Sequence, residues 1–127
     1  MKRKNVLMID DEENFCKLTQ LNLEETGEYA VFTAFDGQDG LNVAKKIKPD
    51  IILLDIMMPK MDGFTVLKVL KENKKTMDIP VIMLTAKGED ESKLKASELY
   101  STYYITKPVS VEDLRAKIEW VLNLKGR

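Results

Sequence analysis

The chain has no histidine and a single cysteine, Cys16, in 127 residues. With imidazole absent and one thiol available, the usual His- and Cys-rich zinc sites cannot be assembled, and a site built from converging carboxylates would be a hard, all-oxygen one. A lone cysteine also leaves no disulfide framework, and no apolar stretch reaches signal-peptide or membrane-span length. Both features point to a cytoplasmic protein in a reducing compartment, with no membrane partner. Neither sign of charge dominates: 20 Lys and Arg stand against 21 Asp and Glu. A global basic field is therefore missing, and direct binding of nucleic acid by this chain is not expected. There is no internal repeat and no low-complexity linker. A length of 127 residues with 44% apolar composition suits one domain, residues 1–127, and is too short for two cores.

What is present is a set of short apolar runs ending in polar residues. Val6-Leu7-Met8-Ile9 ends in Asp10-Asp11, and Ile51-Ile52-Leu53-Leu54 ends in Asp55. Val81-Ile82-Met83-Leu84 ends in Thr85, and Tyr103-Tyr104-Ile105-Thr106 ends in Lys107-Pro108. Strands apolar at every position are buried on both faces, as in a parallel sheet covered by helices. Parallel neighbours align their C-terminal ends, so acids, hydroxyl and ammonium meet in the crevice where open α/β sheets bind ligands.

Helix-like segments alternate with these runs. Glu12 to Thr26 carries an apolar arc of Phe15, Leu18, Leu21 and Leu23 and stops at Gly27. Val31 to Phe35 is less uniformly apolar, as an edge strand is. Asp36-Gly37 opens a helix through Leu41, Ala44 and Ile47 that Pro49 ends. Phe64 to Leu70 gives a third helix, Leu94 to Leu99 the core of a fourth, and Val111, Leu114, Ile118, Val121 and Leu122 a fifth. The order βαβαβαβαβα with short connections requires right-handed crossovers and a doubly wound α/β sheet.

Each site residue has a simpler reading by itself. Asp11 would serve as a helix cap, Asp55 as a turn residue before Met58-Pro59, Thr85 as a cap or turn hydroxyl, and Lys107-Pro108 as a surface turn. Those readings leave unexplained why all of them close different strands with opposite charges placed to meet. Converging carboxylates without imidazole or thiolate suit Mg²⁺ or Mn²⁺, which relieves their repulsion and polarises phosphoryl oxygens. Lys107 adds positive charge and Thr85 a hydroxyl donor, which suits phosphoryl transfer. Asp55, on the most apolar strand, is the candidate nucleophile, with Asp10 and Asp11 as metal ligands.

On Asp10-Asp11, Asp55 with Met58-Pro59 and Asp62-Gly63, Leu84-Thr85-Ala86, and Tyr104-Ile105-Thr106-Lys107-Pro108, the chain resembles a response-regulator receiver domain of two-component signalling over nearly its whole length. The resemblance implies a flavodoxin-like (βα)5 fold, a five-stranded parallel sheet in the order 2-1-3-4-5. It implies phosphorylation of Asp55 from a phosphohistidine on a sensor histidine kinase or histidine phosphotransfer protein. Mg²⁺ would be held by Asp10 or its bridging water, Asp11, Asp55 and the backbone carbonyl of Met57. Thr85 and Lys107 would read the phosphoryl group, Ala86 would give its backbone N–H, and Tyr104 would be the rotamer-switch aromatic. Lys107-Pro108 is similar to the family's cis peptide. The absence of histidine fits, because the donor then belongs to another molecule.

Two departures matter. Tyr100-Ser101-Thr102-Tyr103 stands where many relatives carry Gly-Ala-Asp-Asp. Tyr100 in place of a glycine predicts a strained or reshaped end to the fourth helix. Thr102 and Tyr103 remove acids that pair across a symmetric dimer in transcription-factor relatives, so a monomer or weak dimer is expected. Met58 and Met61 are read as packing, whereas Met57 could also shield the phosphoryl group. Three functional classes compete. A phosphorylation-controlled binding module changes its fourth-helix, fifth-strand and fifth-helix face to control an output protein or a missing effector domain. An aspartyl-nucleophile phosphatase needs an acid two residues after Asp55, where Met57 sits, so turnover of a separate substrate is not expected. A flavodoxin-like nucleotide binder needs a phosphate-cradling loop where Asp10-Asp11-Glu12-Glu13 stands. A phosphorylation-independent scaffold has no need of the whole acid, hydroxyl and lysine set. The end at Leu124-Lys125-Gly126-Arg127, just past the fifth helix, fits a free-standing receiver or one excised from a larger regulator.

Overall fold

Val6 and Met8 pack into one buried cluster while Leu7 and Ile9 pack into another, because successive side chains of a strand point to opposite faces of the sheet. The computed structural model, which describes residues 2–86, 88, 91, 94–95, 98–100 and 102–125, places five parallel strands between these clusters. They are β1 (Lys4–Ile9), β2 (Tyr29–Ala34), β3 (Ile51–Asp55), β4 (Val81–Thr85) and β5 (Tyr103–Thr106). Their spatial order is β2-β1-β3-β4-β5, as expected, with β3 in the centre and β2 at an edge. Every residue of β3 and β4 is buried, which is why their sequences show no alternation.

Helices cover both faces. Leu41 and Ala44 of α2 (Gly37–Ile47) and Val66, Leu67 and Leu70 of α3 (Gly63–Glu72) join the Leu7 cluster. Cys16 and Leu23 of α1 (Glu13–Glu25) join the Met8 cluster, together with Leu114, Ile118 and Val121 of the C-terminal helix Val111–Lys125. Asp36 and Asp62 cap their helices, accepting from the amides of Asp39 and Thr65 at 2.8 and 2.9 Å. Met58 is buried and Met61 packs against the same core, as read from the sequence. Among the described residues, no helix is long and apolar enough to cross a membrane.

Three expectations change in detail. The inward stripe of α1 is Cys16, Thr19 and Leu23, whereas Leu18 and Leu21 are 58% and 68% exposed. The stripe follows i, i+3, i+7 spacing, and Leu18 and Leu21 fall about 100° or more off it. β2 begins earlier than Val31 and ends before Phe35. The fourth-helix segment is helical at Glu91, Leu94 and Lys95, with residues 92–93 and 96–97 outside the described ones, and a 3-10 turn follows at Glu98–Tyr100. Among the described residues, positive φ outside glycine occurs at Lys48 and Lys60. Tyr100 is therefore reshaped into a tighter turn, not strained.

Candidate functional site

In-register parallel pairing decides where the polar ends of the strands fall. Ile9 aligns with Leu54 and Leu54 with Met83, so Asp10, one residue past β1, lies beside Asp55, the last residue of β3. Thr85 ends β4 opposite Thr106 of β5, and Lys107 follows. Its amide donates to the Thr85 carbonyl at 2.7 Å, which continues the pairing by one step. The Lys107-Pro108 peptide is cis. At the other side, α3 starts against the end of β3: the Gly63 amide donates to the Ile56 carbonyl at 2.8 Å. A Cβ on Gly63 would meet the Asp55 carbonyl oxygen and lie 2.7 Å from Ile56 Cα. Glycine is required there by backbone approach.

Carboxylate oxygens of Asp10, Asp11 and Asp55 all lie within 4.8 Å of one another. Asp10 and Asp55 are buried and Asp11 is exposed. The Lys107 ammonium is 2.9 Å from Asp10 Oδ2 and 3.6 Å from Asp55 Oδ1. Asp10 is fixed further: its Oδ1 accepts from the Glu12 amide at 2.9 Å, and its carbonyl accepts from the Cys16 thiol at 3.4 Å. Thr85 is buried at the end of β4, and its hydroxyl donates to Thr106 Oγ1 at 3.3 Å. Ala86 follows it along the rim of a cavity of about 380 Å³. Met57 is 65% exposed. Tyr104 is half-buried two residues before the end of β5, and its hydroxyl donates to the Leu94 carbonyl at 2.8 Å.

The electrostatics follow from that packing. Burial pushes the Asp55 carboxyl up to about 7; the Asp10 carboxylate adds to the rise and Lys107 opposes it. Burial works to lower the Lys107 pKa, but its bonds to Asp10 and Glu12 and the nearby charge of Asp55 outweigh it, so the ammonium sits above its ordinary range. The Cys16 thiol is pushed up to about 12, first by burial and then by Asp10. It is a protonated packing residue, not a nucleophile.

Three residues at the site have contacts there that the sequence does not assign to them. Glu12 Oε1 lies 2.9 Å from Lys107 Nζ, the Phe15 ring centroid lies 5.0 Å from the same atom, and Thr106 receives the Thr85 hydroxyl. Glu12, Phe15, Ala86, Lys107, Pro108 and Val109 line the cavity beside the acids. The residues present fit a divalent cation. They offer hard oxygen donors only, and a cation would relieve the repulsion that Asp10 and Asp11 add to the burial of Asp55.

The family model for the response regulator receiver domain matches residues 6–119. The chain is 44% identical over 119 residues to the alkaline phosphatase synthesis transcriptional regulatory protein PhoP of Bacillus subtilis, a match covering 94% of this chain and 48% of that protein. It is 41% identical over 122 residues to the DNA-binding dual master transcriptional regulator RpaA of Synechocystis, covering 96% and 50%. It thus spans about half the length of the curated relatives it matches. Among solved structures, the chemotaxis protein CheY4 of Vibrio cholerae superposes with a TM-score of 0.85 at 30% identity, over 94% of this chain and 99% of that one. Sequence, topology and the aligned strand ends agree: the chain belongs to the response regulator receiver domain family.

Proposed function

We propose that this chain is a phosphoacceptor switch in which Asp55 takes a phosphoryl group from the phosphohistidine of a sensor histidine kinase or histidine phosphotransfer protein. One observation carries the reading: a buried carboxylate, Asp55, has two further carboxylates within 4.8 Å and an ammonium at 3.6 Å, all at the strand ends. An Asp55 oxygen attacks phosphorus as the phosphorus–nitrogen bond of the donor breaks, and the electron pair of that bond leaves with the imidazole nitrogen. Lys107 holds negative charge that develops on the phosphoryl oxygens. Asp10, Asp11, Asp55 and the Met57 carbonyl are the groups that would hold Mg²⁺ or Mn²⁺, which when bound neutralises the acids and polarises the phosphoryl group. Thr85 exchanges its bond to Thr106 for one to a phosphoryl oxygen, and the Ala86 amide is a second donor.

Output runs through the face made by the segment around Leu94, β5 and the C-terminal helix, where Tyr104 sits. The names of the relatives favour output through a DNA-binding segment or partner, and a kinase-fed switch of this kind works in the cytoplasm. The position where an aspartyl phosphatase needs its acid holds the exposed side chain of Met57, which disfavours turnover of a separate substrate. Addition of beryllofluoride with Mg²⁺, a mimic of the aspartyl phosphate, tests the reading. Amide resonances around Asp55, Thr85 and Lys107 should shift in the parent protein and not in Asp55→Asn. Unshifted resonances in the parent at saturating reagent would instead support a phosphorylation-independent scaffold.

A further inference from the structure

Glu12 is the N-cap residue of α1, yet its side chain makes no capping bond. The carboxylate reaches across the site to Lys107 Nζ instead, at 2.9 Å, the same length as the pair between Lys107 and Asp10. Its backbone amide is meanwhile bound to Asp10 Oδ1. Asp10, Glu12 and Lys107 therefore form a closed ring, with the Asp55 oxygen lying outside it at 3.6 Å. An acid at a helix N-terminus ordinarily satisfies amides there; this one is spent on the lysine that a phosphoryl group on Asp55 needs.

We propose that Glu12 is a positioning residue that holds the Lys107 ammonium away from Asp55 and so sets how readily the site accepts a phosphoryl group. The inference rests on the proposed phosphoacceptor role of Asp55. Before phosphorylation, Lys107 is shared between Asp10 and Glu12. An incoming phosphoryl group must draw it from Glu12, whose side chain is 63% exposed and becomes hydrated on release. The pair is partly screened by solvent, so its effect is a tuning of a few fold, not a block. Glu12 also places a negative charge on the rim of the cavity beside the acids, opposing an anionic donor.

The test is the affinity of the intact chain for beryllofluoride at saturating Mg²⁺, read by calorimetry, for the parent, Glu12→Gln and Glu12→Asp. Glu12→Gln keeps shape and removes charge; it should bind about 3-fold more tightly, and phosphorylation by acetyl phosphate should show a lower half-saturating concentration with little change in the maximal rate. Glu12→Asp keeps the charge but is one methylene too short for the pair, and should fall between the two. In 0.5 M salt the difference between parent and Glu12→Gln should shrink. A residue that only stabilised the helix terminus would give weaker binding or none of the salt dependence. Equal or weaker binding by Glu12→Gln, with the parent binding normally, overturns the role of Glu12. Failure of the parent itself to bind would instead overturn the phosphoacceptor reading.

Discussion

The Tyr104 hydroxyl donates to the Leu94 carbonyl at 2.8 Å, which fastens a side chain of β5 to the helical segment ten residues earlier. The same ring packs against the buried cluster on its face of the sheet. One strand over, the Thr85 hydroxyl is engaged with Thr106 at 3.3 Å, a long contact for two hydroxyls and easily exchanged. A phosphoryl group that attracts Thr85 would change what Tyr104 packs beside, biasing an equilibrium between its rotamers. Thr85→Ala should accept phosphate yet show smaller amide shifts between Lys95 and Val111 on beryllofluoride binding than the parent does. Shifts of full size would mean that coupling bypasses Thr85.

Asp11→Asn should weaken Mg²⁺ binding about 10-fold or more by calorimetry while leaving the fold intact, because one of three converging carboxylates is lost. Capping offers no competing explanation: the N-cap residue of α1 is Glu12, and Asp11 is exposed. The denaturation midpoint should move by less than about 0.5 kcal/mol equivalent. An unchanged Mg²⁺ isotherm would remove Asp11 from the ligand set.

The raised Asp55 carboxyl has a consequence for stability. Its ordinary value is 3.8 and its folded value about 7, so the folded state binds the proton more tightly than the unfolded chain. The contribution of this proton to metal-free stability is then fully present below about pH 4 and is lost as pH rises through about 7. Asp55→Asn should raise metal-free stability at pH 8 by roughly 1–3 kcal/mol in urea titrations, with the difference vanishing near pH 4. Saturating Mg²⁺ should narrow the gap at pH 8 by stabilising the parent. Coincident midpoints at pH 8 without metal would contradict the cost of burying the Asp55 charge beside Asp10.

Gly63→Ala introduces a methyl against the carbonyl oxygen of Asp55 and the Cα of Ile56. Backbone cannot yield as a flexible side chain does, so either α3 shifts or the end of β3 moves. A loss of about 2 kcal/mol or more and slower phosphorylation are expected together, from urea melts and acetyl phosphate kinetics. A variant with parent-like values in both would show that this approach is not tight.

Much of this was legible in the sequence because parallel pairing converts strand ends into a shared place. Four runs closed by Asp10, Asp55, Thr85 and Lys107 needed only in-register alignment to meet, and alignment is what burial on both faces enforces. The uniformly apolar residues of β3 fit its central, fully buried place. The inward face of α1 was misjudged because Cys16 and Thr19, small and weakly apolar or polar, take the positions that Leu18 and Leu21 were expected to fill. Glu12 was missed for another reason. Its partner is 95 residues away, and an acid at a helix start looks like any other until the lysine is seen beside it. Should coupling bypass Thr85, the loop from Lys87 to Asp90 is the alternative route for the switch; of its residues only Gly88 lies among the described ones.

The central claim is tested most directly by intact mass after incubation with Mg²⁺ and acetyl phosphate. The parent should gain one phosphoryl group, labile to acid or hydroxylamine as an acyl phosphate is and mapped to Asp55, while Asp55→Asn and parent protein stripped of metal should gain none. Equal labelling of Asp55→Asn, or a phosphoryl group mapped to another residue of the parent, would contradict the account.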